Sequence, residues 1–330
     1  MITAKDTQFH QPPDDDPSWA ETNYFPFTIP EHAIQGAFYV LTRQNVGACI
    51  SDTFIFQGHN VAPTDTLYSD NHAHLPCPER LEDYTLASGL SVKAVNAPME
   101  YEVHYEGYGD TEFHLHFQGL VEPYDTSDPD MDPMTAQKAD EHEHSWRKTA
   151  YKGHFDHTVR ATGECKILGT PYQIDCVTTM DHSWGLRPEM DAQPMMWMHG
   201  HWGEDFAFHV ILSFDPLNTD RIGPLLHGYI VENGEMHPLI AGKGVAKRNK
   251  FMAMEVELEL KDVRGKTHSV RGESAASYVW RAWPGIAVYT SLLKWNDRNG
   301  KPGWGETQDC LSMKYVCQAN KKLKNKKAAA

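Results

Sequence analysis

The sequence GAFYVLTRQNVGACISDTFIFQ, residues 36–57, contains two apolar segments separated by a polar stretch around Asn45 and Gly47. β-Branched and aromatic residues predominate in both segments, which favours strands over helices. Segments of the same kind recur, as in SVKAVNA (91–97), MEYEVHYEG (99–107) and TEFHLHFQG (111–119). Short strands at a spacing of roughly ten residues are typical of β-sandwiches and β-barrels.

The same pattern returns after residue 153 and continues almost to the end of the chain. Examples are DFAFHVILSF (205–214), FMAMEVELELKD (251–262) and DCLSMKYVC (309–317), and tight turns such as ENGE (232–235) join neighbouring segments. Roughly eight strands on each side of residue 190 predict an all-β protein with two closed antiparallel barrels and few short helices. A single large β-sandwich is the alternative.

We place the domain boundary at this midpoint, to within about 20 residues. Residues 1–190 form the predicted N-terminal barrel and residues 191–330 the C-terminal barrel. The first thirty residues are rich in proline and acid, so they are expected to form an arm without long regular elements. An acidic insert near 122–146 holds one possible short helix around Met134 to Glu143, and the tail KKLKNKKAAA is expected to be disordered and solvated.

The composition excludes several classes of partner. The chain has 30 basic and 45 acidic residues, giving a formal charge of −15, which disfavours nucleic-acid and anionic membrane binding. Neither a signal peptide nor an apolar run long enough for stable membrane insertion is found, so a cytoplasmic protein is expected. A hydrophobic small molecule is the expected partner, and the oligomeric state is left open.

No metal or cofactor is predicted. His199 and His201 share one face of a probable strand, but no third ligand is fixed by the sequence. His142 and His144 lie in the acidic insert and are expected to be solvated. GKT at 265–267 lacks the earlier glycine of a phosphate-binding loop.

The segment TTMDHSWGLRPEM (178–190) concentrates residues that can carry chemistry. In a strand, Asp181 and Ser183 lie on one face, whereas His182 and Trp184 lie on the other. Gly185 permits a bend that would bring Arg187 back toward the strand. The segment is therefore either an Asp–Arg staple at a barrel corner or part of an active site.

The longer segment HFDHTVRATGECKILGTPYQIDCVTTMDHSWGLR (154–187) resembles the AttH and carotenoid 1,2-hydratase (hydroxyneurosporene synthase-like, CrtC-like) superfamily. WAETNYFPFTIPEHAIQGAFYVLTRQNVG (19–47) and GKPGWGETQD (300–309) look like parts of its bacterial branch. The resemblance implies two packed lipocalin-like barrels and a hydrophobic ligand cavity. The related hydratase motif has an aromatic residue two positions before the aspartate, where this chain has Thr179.

The resemblance suggests a cofactor-independent hydratase or dehydratase that acts on a hydrophobic terpenoid, steroid or prenylated aromatic. A carboxyl group buried among apolar side chains keeps its proton, so Asp181 is the expected acid. If Arg187 pairs with Asp181, the pKa of Asp181 falls and His182 becomes the better acid. A lipid or polyene carrier and an isomerase or pericyclic cyclase are the alternative functions.

The remaining predicted site residues have supporting roles. His182, His199 and His201 are expected to position water and accept its proton. The predicted substrate-binding residues are Trp184, Arg187, Trp197, Met198 and Trp202, of which the tryptophans would stabilise a carbocation.

Overall fold

The structure is a computed structural model that describes residues 1–60, 62, 64–137, 152–187, 190–215 and 220–328. It consists of two antiparallel sheets, one built from the strands before residue 187 and the other from the strands after residue 194. The predicted all-β class with two lipocalin-like units is confirmed. No helix in the described residues combines the length and the hydrophobicity that a bilayer crossing requires.

The first sheet is curled rather than closed. Its strands follow the order β4-β3-β2-β1-β11-β10-β8-β7-β6-β5, and the short strand β9 pairs with β10. The strands are β1 (Trp19–Ile29), β2 (Ile34–Arg43), β3 (Ala48–Gln57), β4 (Tyr68–Pro76), β5 (Asp83–Thr85), β6 (Leu90–Asn96), β7 (Glu100–Gly107), β8 (Thr111–Gly119), β9 (Tyr124–Asp125), β10 (Gly153–Ile167) and β11 (Thr170–Leu186).

The expectation that the first thirty residues lack a long element is wrong, because β1 runs through them and is buried along its whole length. Phe25 and Phe27 face the interior of the first sheet, whereas Ala20 and Tyr24 face the second sheet. Burial on both faces removes the polar and apolar alternation by which a strand is recognised. The ladder with β11 ends at Tyr24, so Pro26 lies beyond the paired segment on that side.

The second sheet is a closed barrel of eight strands, β12 to β19, each paired with the next and β19 with β12. Asn233 and Gly234 both have positive φ in the turn between β14 and β15, as the predicted hairpin requires. The strands are β12 (Met195–His201), β13 (Phe206–Phe214), β14 (Arg221–Glu232), β15 (Glu235–Asn249), β16 (Met252–Asp262), β17 (Thr267–Trp280), β18 (Ile286–Arg298) and β19 (Lys301–Ser312).

Two α-helices lie in the described residues, α1 (Pro133–Gln137) and α2 (Met313–Ala328), together with two short 3₁₀ helices, Ala4–Thr7 and Pro30–His32. Helix α2 overturns two expectations, since 309–317 is not one strand and the lysine-rich tail is helical as far as Ala328. Val316 and Ala319 lie about one turn apart and pack on the second barrel, which anchors the helix. Helix α1 matches the start of the predicted short helix; the rest of that segment, with His142 and His144, lies outside the described residues.

Three large apolar clusters form the core. One fills the curled first sheet, one fills the second barrel, and the third lies between them. The third cluster joins Tyr24 and Tyr39 of the first sheet to Trp197, Tyr278 and Trp280 of the second. The two sheets therefore share an extensive buried junction, and the polar side chains within it define the candidate site.

Candidate functional site

A cavity lies in this junction, with a volume of about 40 Å³ open to water-sized molecules. Its lining combines the polar side chains of Asp181 and His154 with several aromatic rings. We call it the inter-sheet cavity. Its lining residues are Thr22, Tyr24, Tyr39, His154, Asp181, Ser183, Arg187, Met195, Trp197, Ile211, Trp280, Trp283, Gln308 and Cys310.

The register of the first sheet explains how its wall of the cavity is assembled. Tyr39, Tyr24, Asp181 and Asp156 lie abreast on the neighbouring strands β2, β1, β11 and β10. Adjacent residues on one sheet face are only about 5 Å apart, so these side chains form a row. Tyr24 and Asp181 both line the inter-sheet cavity. As the alternation of residues in β11 predicts, Asp181 lies on one face of the strand, and this face borders the cavity.

Asp181 is the carboxyl group that faces the cavity. In the described part of the chain, no side chain makes a hydrogen bond or ion pair with it. Burial disfavours its charged form, and the nearby carboxylate of Asp156 adds to this effect, raising the pKa of Asp181 to about 7 against the opposing charges of His154 and Arg187. Asp181 can therefore hold a proton near neutral pH and deliver it into the cavity.

Arg187 does not pair with Asp181. Its Nη2 donates to Ser183 Oγ at 2.9 Å, and Ser183 Oγ lies 2.7 Å from the hydroxyl of Thr22. Although both residues are described and both line the cavity, no hydrogen bond or ion pair joins Arg187 to Asp181. The predicted Asp–Arg staple is therefore replaced by an Arg187–Ser183 contact, which leaves the Asp181 carboxyl facing the cavity.

Asp156 is surrounded by imidazoles, and we call His154, Asp156, His209 and His227 the Asp156 cluster. The Nε2 atoms of the three histidines lie 2.9, 2.9 and 3.1 Å from Asp156 Oδ2, in that order. Trp197 Nε1 donates to Asp156 Oδ1 at 2.9 Å. Burial opposes ionisation here, but the charges of His154 and His209 outweigh it and hold the pKa of Asp156 well below its usual range.

A second buried acid, Glu306, lies behind the aromatic wall. Tyr24 Oη donates to Glu306 Oε2 at 2.8 Å, and Thr290 Oγ1 donates to Glu306 Oε1 at 2.5 Å. Burial raises the pKa of Glu306 to about 7 despite these hydrogen bonds. Glu306 thus fixes the phenol of Tyr24 at the edge of the inter-sheet cavity.

Two predicted site residues of β11 lie away from the cavity. His182 and Trp184 face the interior of the first sheet, where Nδ1 of His182 lies 2.7 Å from Asn23 Oδ1. Trp184 stacks on His10 with ring centroids 3.7 Å apart. Burial lowers the pKa of His182 well below its usual range, so it is neutral where it lies. In this arrangement His182 cannot act as the acid inside the cavity.

The predicted site residues in and directly after β12 are also divided between two faces. Trp197 lines the inter-sheet cavity, whereas Met198 and Trp202 belong to the core of the second barrel. His199 and His201 share the Trp197 face as expected, and their Nδ1 atoms lie 3.3 Å apart. Burial lowers the pKa of His201 to about 3, and neither histidine is among the cavity-lining residues.

Several residues of the cavity escape detection in the sequence. For His154 the sequence held a signal, because its spacing of two residues from Asp156 puts both side chains on one face of a strand. In the structure His154 lies directly beside Ser183 of the recognised motif. Tyr24 lies in the segment taken as an arm. Trp280 and Trp283 come from the opposite sheet, about a hundred residues away in the chain, and no local pattern connects them with Asp181.

Comparison with solved structures shows the same fold in proteins of very different sequence. Kievitone hydratase from Nectria haematococca matches at 9% identity with a TM-score of 0.51, covering 92% of this chain and 91% of that protein. An AttH-like protein from Nitrosomonas europaea matches at 9% identity with a TM-score of 0.52, covering 88% and 91%. At this identity the likeness concerns the fold.

No curated protein sequence matches the chain. One family model does match, and it spans residues 3–310, which include both sheets and every residue of the inter-sheet cavity. The chain therefore belongs to the family described as a Domain of unknown function, DUF7064.

Proposed function

We propose that the protein is a hydratase or dehydratase that adds water to, or removes it from, a carbon–carbon double bond of a hydrophobic small molecule. The observation that carries the proposal is Asp181, a carboxyl group that faces an aromatic cavity and has no hydrogen-bonding or ionic partner among the described residues. Kievitone hydratase shares the fold and supports a hydro-lyase reaction.

The chemistry requires a strong acid that stays protonated near neutral pH. In the forward direction, Asp181 transfers its proton to one alkene carbon and becomes a carboxylate, while the other carbon becomes a tertiary cation. Water then forms a carbon–oxygen bond with that cation, and the proton it loses returns to Asp181. The cycle adds one water molecule and restores the acid, so one carboxyl group can serve both steps.

The cavity walls suit the cationic intermediate. Tyr24, Trp197 and Trp280 present aromatic rings around the space that Asp181 faces, and Tyr24 contacts both indoles. A cation over an aromatic face gains roughly 0.5–2 kcal/mol per favourable contact. The carboxylate left on Asp181 would form an ion pair with the cation at the same time.

The water also has a place in this arrangement. His154 lines the cavity and is held through its Nε2 atom by Asp156 at 2.9 Å. In the proposal, His154 takes the role of positioning water that the sequence assigned to His182, His199 and His201. Ser183 and Gln308 supply further polar atoms on the cavity wall.

The cavity size narrows the substrate class. A volume of about 40 Å³ holds a few water molecules, whereas a drug-sized ligand usually needs on the order of 300 Å³ or more. We therefore propose that a short branched end, such as the prenyl group of a terpenoid or prenylated aromatic, enters between the sheets. Half-buried Trp283 is the side chain whose movement would widen the cavity.

Native mass spectrometry of the purified protein tests the ligand class, and product analysis tests the reaction. We expect a co-purified apolar molecule with an isolated alkene or a tertiary alcohol, which differs from its product by one water. A ligand that is bound and released unchanged would indicate a carrier. A product of unchanged mass would indicate an isomerase or cyclase, and either result would overturn the hydratase proposal.

A further inference from the structure

We infer that the Asp156 cluster is a binding site for one divalent transition-metal ion, held by Nε2 of His154, Oδ2 of Asp156 and Nε2 of His227. The three donor atoms lie within 4.8 Å of one another, and all three side chains are buried. Two imidazoles and one carboxylate, with further coordination positions left open, form a set that binds iron, zinc, cobalt or manganese.

The strands present these donors together. His154 and Asp156 are two residues apart on β10, so both face the second barrel. His227 lies on β14 of the opposite sheet and reaches the same carboxylate oxygen. The site therefore bridges the two sheets, and a bound ion would cross-link them.

The distances are close to those that a metal ion imposes. Asp156 Oδ2 lies 2.9 Å from His154 Nε2 and 3.1 Å from His227 Nε2. Metal bonds of 2.0–2.1 Å in a tetrahedral site place neighbouring donor atoms about 3.3 Å apart. Small side-chain adjustments would therefore admit an ion between them.

His209 gives a further indication of a metal site. Its side chain is completely buried, and its Nε2 atom lies 2.9 Å from Asp156 Oδ2. Its Nδ1 atom makes no hydrogen bond with the described residues. The Nε2 atom already lies at contact distance from the Asp156 carboxylate, so coordination of an ion beside Asp156 would use the lone pair of that nitrogen. His209 is thus the candidate fourth ligand.

The surroundings resemble the support that metal ligands usually have. Trp197 Nε1 donates to the second oxygen of Asp156, which fixes the orientation of the carboxylate. His154 and Trp197 also line the inter-sheet cavity, so an open coordination position would border the space that Asp181 faces. This inference departs from the sequence analysis, which predicts no metal, because the ligands come from β10, β13 and β14.

The inference does not depend on the hydratase proposal, although an ion would lie near Asp181. Asp181 and Asp156 are cross-strand partners on the same face of the first sheet. Positive charge at the cluster would favour the carboxylate form of Asp181, so the two sites are expected to influence each other. The test therefore measures binding of the ion and not hydratase activity. Asp181→Asn is expected to bind the ion while losing any hydratase activity.

The experiment strips the full-length protein with a chelator and titrates it with Co²⁺, following the visible absorption of the bound ion. We expect one equivalent to bind, and His227→Ala and Asp156→Asn to weaken binding by on the order of 100-fold or more. Because an ion that binds the folded state and not the unfolded chain stabilises the fold, Co²⁺ should raise the melting temperature of the parent protein.

Two control variants, one exposed and one half-buried, show whether the ion binds specifically at the Asp156 cluster. His104 and His114 are exposed cross-strand partners that could chelate an ion adventitiously, and His10 belongs to a second group with Glu21 and His182. His104→Ala and His10→Ala should leave the Co²⁺ titration unchanged. Loss of the bound ion in either control variant would place it elsewhere and overturn the inference.

If the buried variants do not fold, X-ray absorption of the parent protein with Co²⁺ decides the question. Scattering from two or three imidazole nitrogens at about 2.0–2.1 Å from the cobalt ion is expected. A shell of oxygen atoms only, or the absence of any tight equivalent in the titration, would overturn the inference.

Discussion

Asp181 and Asp156 lie directly opposite each other on β11 and β10, and their carboxyl groups favour opposite protonation states. Burial and the neighbouring carboxylate raise the pKa of Asp181 to about 7. Asp156 is completely buried, but the imidazoles around it hold its pKa well below the usual range. Divergent pKa values in adjacent acids are a frequent feature of active sites, where one group donates a proton and its neighbour stays charged.

Replacing Asp181 with asparagine should abolish hydration and leave ligand affinity largely intact. Asparagine has nearly the same shape but no acidic proton, so we expect kcat to fall by about 10²- to 10⁴-fold. The matched control is Asp175→Asn on the same strand, where the carboxylate is exposed and paired with Arg160. Comparable turnover by Asp181→Asn and the parent protein would assign the acid to another residue.

In the chelator-treated protein, the hydration rate should fall as pH rises through about 7. Only the protonated form of Asp181 can donate, and its pKa is raised to about 7, chiefly by burial. Well above this value kcat/KM should decrease tenfold for each pH unit, whereas below it the acid is fully protonated. A pH–rate profile that rises from pH 6 to pH 8 would contradict the assignment of Asp181 as the proton donor.

Trp283→Ala should widen the inter-sheet cavity and favour bulkier substrates. Trp283 is half-buried, lines the cavity and stacks near Tyr39 with ring centroids 6.4 Å apart. We expect the ratio of kcat/KM for a bulky over a small prenylated substrate to rise on the order of 10-fold. Trp304→Ala removes a half-buried indole outside the cavity lining and should leave this ratio unchanged.

Glu306→Gln should change how the free energy of unfolding depends on pH. The folded-state pKa of Glu306 is about 7, above its usual value of 4.5, so the folded protein holds this proton more tightly than the unfolded chain. Its stabilising contribution is complete below about pH 4.5 and is lost as pH rises through about 7. Between pH 5 and pH 8 the free energy of unfolding of the parent should therefore fall by on the order of 2–3 kcal/mol more than that of Glu306→Gln.

Urea unfolding of both proteins at pH 5 and pH 8 measures this difference. Asp181 is present in both proteins, but the charge of Glu306 contributes to its raised pKa, so the difference between the proteins reports the Glu306 carboxyl group together with this coupling. Equal losses in the parent and the variant would mean that the folded-state pKa of Glu306 is not raised, which would contradict its role as a buried acid that holds a proton near neutral pH.

Much of the fold was predictable because many strands follow the usual alternation. Segments such as 111–119 bury every second residue and coincide with a strand of the structure. β1 was missed because it is buried on both faces and contains Pro26. Helix α2 was missed because a run of lysines indicates solvent exposure but not conformation, and lysine is a good helix former.

The candidate site could be predicted from the sequence only within single strands, where alternation shows which side chains share a face. The alternation of β11 correctly separated Asp181 from His182, yet it could not show which face meets the second barrel. Pairing depends on register, and register depends on contacts between distant segments. For this reason His154, Tyr24 and Trp280 had no recognisable connection with Asp181, and the Asp156 cluster did not emerge from the sequence.

Labelled oxygen tests the central claim most directly. The parent protein and Asp181→Asn would be incubated in H₂¹⁸O with a panel of prenylated aromatics and terpenoids, and the products analysed by mass spectrometry. The account predicts a product that carries one ¹⁸O from solvent with the parent protein and none with Asp181→Asn. An unlabelled rearranged product, or equal labelling by the two proteins, would contradict hydration by Asp181.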